Sequence, residues 1–232
     1  MAAVAAPVER TGLLRQMTRR RTVMAGLVIL AVVALLAVLA PLIAPYAPNR
    51  LSIANRLKPP GATFWFGTDE FGRDVFTRTL YAGRQSLLVG ASVVVLAGLV
   101  GVTLGLVAGF FRKLDTPIAR VIDAMMAFPD ILLAIALVAA LGPSLATVIV
   151  ALGIVYAPRL ARVVRASTLV IRELPYVEAA RALGVPTWRI MTRHVLRNLV
   201  SPILVQATFI FADAMLAEAG LSFLGVGVRM DL

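Results

Sequence analysis

The chain has 232 residues, 60% of them hydrophobic and only 15% charged, with a mean hydropathy of +0.90. One soluble core of that size cannot hide so much apolar surface, which excludes an ordinary water-soluble domain and makes a bilayer the expected solvent. Lysine and arginine number 23 against 12 acids, a formal charge of +11; in a chain this apolar the excess marks basic cytoplasmic loops and not a nucleic-acid surface.

Arg19-Arg20-Arg21 precedes TVMAGLVILAVVALLAVLA, Thr22–Ala40. In outline this is a signal peptide, but 19 residues exceed the roughly 7–15 of a signal core, and Pro41 stands where cleavage would fall. At ~1.5 Å per residue the run nearly spans the hydrocarbon core. A cytoplasmic segment 1–21 and a retained first transmembrane helix over 22–44 are therefore expected.

Next comes a polar external loop, 45–85. Asp69/Arg73 and Asp74/Arg78 stand at i,i+4, and Thr68 or Asp69 can cap, so a short charged helix is expected there. Such a helix could meet an external partner, shape an outer gate, or satisfy only itself.

Four further spans follow. Ser86–Phe111 is uninterrupted and holds Gly101, Gly105 and Gly109 at four-residue spacing, with Gly98 beside them. That stripe suits close helix packing in lipid, although glycine is also common in membrane helices generally. Ile118–Leu141 follows Asp115-Thr116-Pro117, a capping residue and a proline suited to a first helical turn. The turn Gly142–Ser144 leads into Leu145–Ala157, with a kink expected at Pro158. The fifth span covers about Ser201–Leu224.

Asp123, Asp130, Asp213 and Glu218 fall in or near these spans. A carboxylate at mid-bilayer costs on the order of 2.5–3.5 kcal/mol, so such groups face a bundle interior or water. Asp130, Asp213 and Glu218 are candidate pathway residues, with a structural helix–helix hydrogen bond as the alternative. Asp123 either shares a helix face with Asp130 or pairs with Arg120 at i−3.

With the N-terminus inside, sixteen lysines and arginines fall in inside segments and seven outside. The bias supports a cytoplasmic N-terminus. It also places 159–198, between spans four and five, in the cytoplasm. Within it, EAARALGVPTWRIMTRHVLRN (Glu178–Asn198) reads as a broken helix. Tyr176–Leu183 forms a first helix, Gly184 ends it, Pro186 prevents its resumption, and Thr187 can cap a second one over Trp188–Leu199. Ala179, Ala180 and Ala182 keep the first helix thin enough for a partner's groove, and Glu178 offers a carboxylate to a partner's cation. An amphipathic connector on anionic lipid is the plain alternative. A DNA-reading helix-turn-helix is another, but its second helix must be free, and here it runs straight into a span.

At these residues the chain resembles the membrane permeases of ATP-binding cassette (ABC) importers, whose signature reads EAA, three residues, Gly, nine residues, I-x-L-P. Glu178-Ala179-Ala180, Arg181-Ala182-Leu183 and Gly184 match its front half; at the back Leu196 is kept, with His194 for isoleucine and Arg197 for proline. FGTDEFGRDVFTRTLYAGRQSLLVG (Phe66–Gly90) is similar to the GTD-x-x-GRD-x-x-SR pattern of the dipeptide and oligopeptide C permeases, with Thr77 for serine. It places Gly67, Thr68, Asp69, Gly72, Arg73 and Asp74 in a family motif. MMAFPDILLAIAL (Met125–Leu137) and LAEAGLSFLGVG (Leu216–Gly227) carry the same resemblance.

The resemblance implies an all-α polytopic bundle of the type I importer permease fold, with a permease core over 86–232 coupled through Glu178, Ala179, Ala180, Arg181, Leu183 and Gly184. It implies a second permease completing a heterodimer, two ABC ATPase subunits and an extracytoplasmic solute-binding protein. The expected solute is a di- or oligopeptide, with nickel or glutathione as alternatives. Six spans are expected where five are seen, so the core reads as C-terminally truncated. The sequence holds no G-x-x-x-x-G-K-[ST] loop, so ATP falls to a partner. No cofactor, metal or nucleic acid is expected: cysteine is absent and His194 is the one histidine. An intramembrane aspartyl protease would need two aspartates converging from different helices, and no G-x-G-D sequence accompanies them.

Overall fold

The computed structural model describes residues 21–227; the expected N-terminal segment before residue 21 and the stretch 228–232 lie outside the described residues. Contacts divide the chain into two compact units that meet in sequence between Arg84 and Gln85. Apart from the single bridge Thr68–Asp74, the described residues form helices, turns and loops without a strand.

The first unit opens with α1, Arg21–Val38, whose side chains Val28, Ile29, Leu35 and Val38 are all more than half exposed. Exposure of that kind all round a helix is what lipid permits and water does not. Pro41 falls in the first turn of the short α2, Ala40–Ile43, where its missing N–H costs nothing. A 3₁₀ turn, Ile53–Asn55, and irregular chain lead to α3, Val75–Phe110. At 36 residues α3 is about 54 Å long, well beyond the ~30 Å of a hydrocarbon core.

The charged helix expected around Asp69–Arg78 does not form as such. Residues 68–74 make a tight reversal, and helix begins only at Val75, with the Asp74 carboxylate accepting the Thr77 N–H at 2.8 Å. The physical reason is local competition. The Asp69 carboxylate accepts the N–H groups of Phe71 and Arg73, both at 2.9 Å, which draws the backbone out of the helical ladder.

In the second unit α3 continues and is followed by α4 (Arg112–Met126), α5 (Asp130–Leu141), α6 (Leu145–Ile171), α7 (Pro175–Ala182), α8 (Thr187–Arg189), a π-helical turn (Ile190–Val195) and α9 (Leu196–Phe223). Among the described residues four helices are long and apolar enough to cross a membrane, and the pair α4–α5 makes a fifth if taken as one span. That pair corrects the expected continuous helix over 118–141. Its halves meet at 89°, because Pro129 lacks an N–H and bars Phe128 from helical backbone. Asp115 also does not cap: α4 starts at Arg112, and Pro117 lies inside it.

The central helix is α6. The Ser144 side chain caps it, accepting the Thr147 N–H at 3.1 Å, and twelve of its 27 residues are buried, Leu152, Leu160 and Val164 among them. It runs on through Pro158 to Ile171 and does not end near Ala157 as the hydropathy suggests. Expected loop residues 159–171 are therefore helical, and Arg159, Arg162 and Arg165 belong to α6. The glycine stripe of α3 faces this helix. A Cβ at Gly101 would lie 2.7 Å from the Ala157 carbonyl oxygen, one at Gly105 would lie 2.5 Å from that of Ala161, and one at Gly109 would lie 2.5 Å from Thr168 Cβ. At Gly98 a Cβ would meet nothing within 4 Å.

Candidate functional site

The elbow between α6 and α9 is built from local chemistry. Pro175 sits in the first turn of α7, where its fixed φ suits a helix start. At the other end Gly184 takes φ +74°, donating its N–H to the Arg181 carbonyl at 2.9 Å, while the Val185 N–H reaches the Ala180 carbonyl at 3.0 Å. These two bonds form a Schellman motif, which satisfies carbonyls that the helix end would leave open. Pro186, not Thr187, takes the cap position of α8; Thr187 is its first residue. After a single turn the chain widens into the π-helical turn, and Asn198 donates to the His194 carbonyl at 2.6 Å and to the Tyr176 hydroxyl at 3.1 Å.

The elbow has two faces. Val177, Ala180, Ile190 and Val195 are buried in the apolar core shared with α6 and α9. Glu178, Ala179, Arg181, Leu183 and Gly184 are exposed, and Leu183 at 83% and Trp188 at 63% present bare apolar surface. The Glu178 carboxylate makes no ion pair or hydrogen bond among the described residues, and its backbone N–H donates to the Leu174 carbonyl at 3.3 Å. Arg181 lies over the Phe110 ring at 5.0 Å, and Arg172 donates to the Gly109 carbonyl at 2.7 Å, so the end of α3 braces the elbow. Five of the six expected coupling residues thus share an outward face, while Ala180 anchors it.

The Gly67–Asp74 motif is a clip. Gly67 and Gly72 both have positive φ, and a Cβ on them would lie 2.5 Å from the Lys58 carbonyl oxygen and 1.8 Å from that of Ser52. Thr68 is buried, accepting the Lys58 N–H at 2.8 Å and donating to the Asn55 carbonyl. Arg73 pairs with Asp69 at 2.7 Å as the spacing suggests, whereas Asp74 caps α3 and leaves Arg78 to reach toward Asp69 at 3.9 Å. Burial pushes the Asp69 carboxyl up, but the Arg73 and Phe71 N–H groups and the Arg73 guanidinium outweigh it and hold the carboxyl below its ordinary value. Beside the clip opens a cleft of about 490 Å³ lined by Tyr46, Arg50, Lys58 and Phe64.

Within the spans the structure pairs every acid. Arg159 donates to Asp213 at 2.8 Å and also to Asp130, so two candidate pathway residues meet on one guanidinium. Their side chains remain 30–40% exposed. Asp123 pairs with Arg162 at 2.6 Å and not with Arg120, and the 89° break removes the helix face it was expected to share with Asp130. Asp115 pairs with Arg165. Glu218 is only 6% exposed, accepting from the Ser222 hydroxyl at 2.9 Å and the Ser86 hydroxyl at 3.3 Å. It therefore ties α9 to α3 and does not open to a pathway here. Sequence reasoning missed the three arginines by assigning them to a loop. Their signal was spacing: arginines at i, i+3 and i+6 oppose aspartates seven or eight residues apart.

Two family profiles match the chain. Residues 101–231, more than half of it, match the family described as binding-protein-dependent transport system inner membrane component. Residues 12–60 match the N-terminal TM domain of oligopeptide transport permease C. A Brucella suis biovar 1 protein with a provisional peptide transport system permease name is 54% identical over 213 residues, 92% of this chain and 72% of that protein. Dipeptide transport system permease protein DppC of Alkalihalophilus pseudofirmus is 44% identical over 219 residues, covering 94% of this chain and 72% of the relative. DppC of Bacillus subtilis is 40% identical over 216 residues, 93% and 68% of the two chains. With its helical spans and outward-facing elbow, this chain belongs to the binding-protein-dependent transport permeases, the membrane subunits of ABC importers whose ATP hydrolysis resides on partner subunits.

Proposed function

We propose that the chain forms half of the translocation pathway of a di- or oligopeptide importer, pairing with a second permease as a heterodimer in the cell membrane. Two ATPase subunits dock on the cytoplasmic side, one of them seating this elbow in its groove, and an extracytoplasmic solute-binding protein delivers the peptide to the side bearing the Gly67–Asp74 clip. The N-terminus is cytoplasmic. Removing Arg159, Arg162 and Arg165 from the sixteen inside charges leaves thirteen against seven, so the bias survives the correction. Asp130 and Asp213 border the pathway, since charges left one-third exposed within a span are disfavoured against lipid and face water or protein.

The observation that carries the proposal is the two-faced elbow. One face is locked into the helical core, while the other shows Glu178, Ala179, Leu183 and Trp188. A groove that covers Leu183 removes apolar area from water, and Glu178 supplies a charge for the groove's rim. Because the anchored face is continuous with α6 and α9, a push on the elbow is delivered to both helices.

Gly184→Arg and Leu183→Asp test this. A Cβ at Gly184 meets nothing within 4 Å, so the arginine projects outward, although φ +74° adds local strain; Leu183→Asp alters the exposed face without that strain. Both variants should insert and accumulate normally, while ATP-driven peptide uptake falls about tenfold or more and ATPase co-purification weakens. Uptake at the wild-type rate in Leu183→Asp would contradict the docking role.

A further inference from the structure

We propose that Arg159 is a positioning residue for transport: its guanidinium holds α5 and α9 to α6, so that the three helices move as one body when the elbow is displaced. One nitrogen of the guanidinium donates to Asp213 at 2.8 Å and the other to Asp130. These carboxylates come from opposite ends of the coupling problem. Asp130 opens α5 immediately after the 89° break, whereas Asp213 lies on α9, the helix into which the elbow continues through its π-helical turn.

A planar fork with separate donors can hold two carboxylates at once, and the compact ammonium of lysine does not reproduce that geometry. Tyr156, one turn earlier on α6, steadies the fork. Its ring centre lies 5.4 Å from the guanidinium carbon, and its hydroxyl donates to the Asp213 carbonyl oxygen at 3.3 Å. The neighbouring pairs Arg162–Asp123 and Arg165–Asp115 reach only α4. Of the three arginines, Arg159 alone bonds the helix that leaves the elbow. Breaking either bond leaves a carboxylate without its partner within a span, which favours keeping both closed while the helices move.

The inference rests on the coupling role of the elbow, and its test separates the two. The chain contains no cysteine, so Leu132→Cys on α5 and Leu204→Cys on α9, both 60% exposed in the wild type, would be its only thiols and can be labelled with nitroxides on the purified chain before assembly. Their separation is measured in the assembled transporter in vesicles, without nucleotide and with ATP and vanadate. With Arg159 present the distance should be narrow and the same in both states. In Arg159→Gln it should broaden or shift by about 2 Å or more. Import of radiolabelled dialanine per ATP hydrolysed should drop roughly tenfold while assembly with the ATPases is retained. Arg159→Lys, which keeps the charge without the fork, should restore both readouts only in part.

An unchanged distance in Arg159→Gln overturns the proposal, as does a wild-type distance that itself changes through the ATP cycle. Should Leu183→Asp leave uptake intact, the docking role fails, yet the nitroxide distance still decides on Arg159.

Discussion

Gly72 shows how much a single position can impose. A Cβ there would sit 1.8 Å from the Ser52 carbonyl oxygen, and the backbone stands at φ +71° besides. Gly72→Ala must therefore push two backbone segments apart, at a cost of about 3 kcal/mol or more once clash and left-handed strain combine. Limited proteolysis should cut residues 45–74 far faster in the variant, while Gly61→Ala, with nothing within 4 Å of its Cβ, should digest like wild type. Equal protection of Gly72→Ala would show that the Ser52 contact is not held in solution. At this scale the sequence marks the residues and misleads on their geometry. The i,i+4 charges Asp69 and Arg73 suggest a helix, and they do pair, but the Asp69 side chain prefers two backbone N–H groups that only a turn can offer it.

Among the elements, α3 and α6 depend on how closely their backbones approach. The Gly101–Gly105–Gly109 stripe meets carbonyls of α6 directly, so any side chain at Gly105 must displace the Ala161 carbonyl or the Val164 side chain, which a Cβ would reach at 2.5 and 2.7 Å. Gly105→Leu should lower the unfolding midpoint in detergent by an amount corresponding to about 2–4 kcal/mol. Gly98→Leu, on the same helix but facing open space, should change it by less than about 0.5 kcal/mol. A Gly105→Leu variant as stable as Gly98→Leu would mean that the stripe is not a packing surface. Periodicity at four residues made this stripe visible in the sequence. The same method fails at Phe128–Pro129, because hydropathy measures how apolar a run is and not which way it points. It also ends α6 too soon at Pro158. A proline in a membrane helix is tolerated when packing holds both sides, and Leu160, Ala161 and Val164 are all buried beyond it. The three arginines past Pro158 look like a loop for the same reason: their charge is visible in the sequence, and their partners on α4, α5 and α9 are not.

On the scale of the whole molecule, orientation is the property on which the coupling role depends, and α6 gives the means to test it. Its 27 residues extend about 40 Å, longer than the ~30 Å hydrocarbon core, so its two ends must emerge on opposite faces of the membrane. The Gly142–Ser144 turn stands at one end and the basic elbow at the other. Lysine and arginine are held on the cytoplasmic side during insertion, and the proposed orientation accordingly puts the elbow in the cytosol and the turn outside. Because the chain has no native cysteine, Leu141→Cys and Leu183→Cys each report one end, and both positions are exposed, at 61% and 83%. A membrane-impermeant maleimide added to right-side-out vesicles should label Cys at 141 and spare Cys at 183; in inside-out vesicles the pattern should reverse. Labelling of position 183 from the outside would place the elbow beyond the reach of any ATP-hydrolysing partner. Glu178, Leu183 and Trp188 would then face a compartment without ATP, and their exposure would need a different explanation.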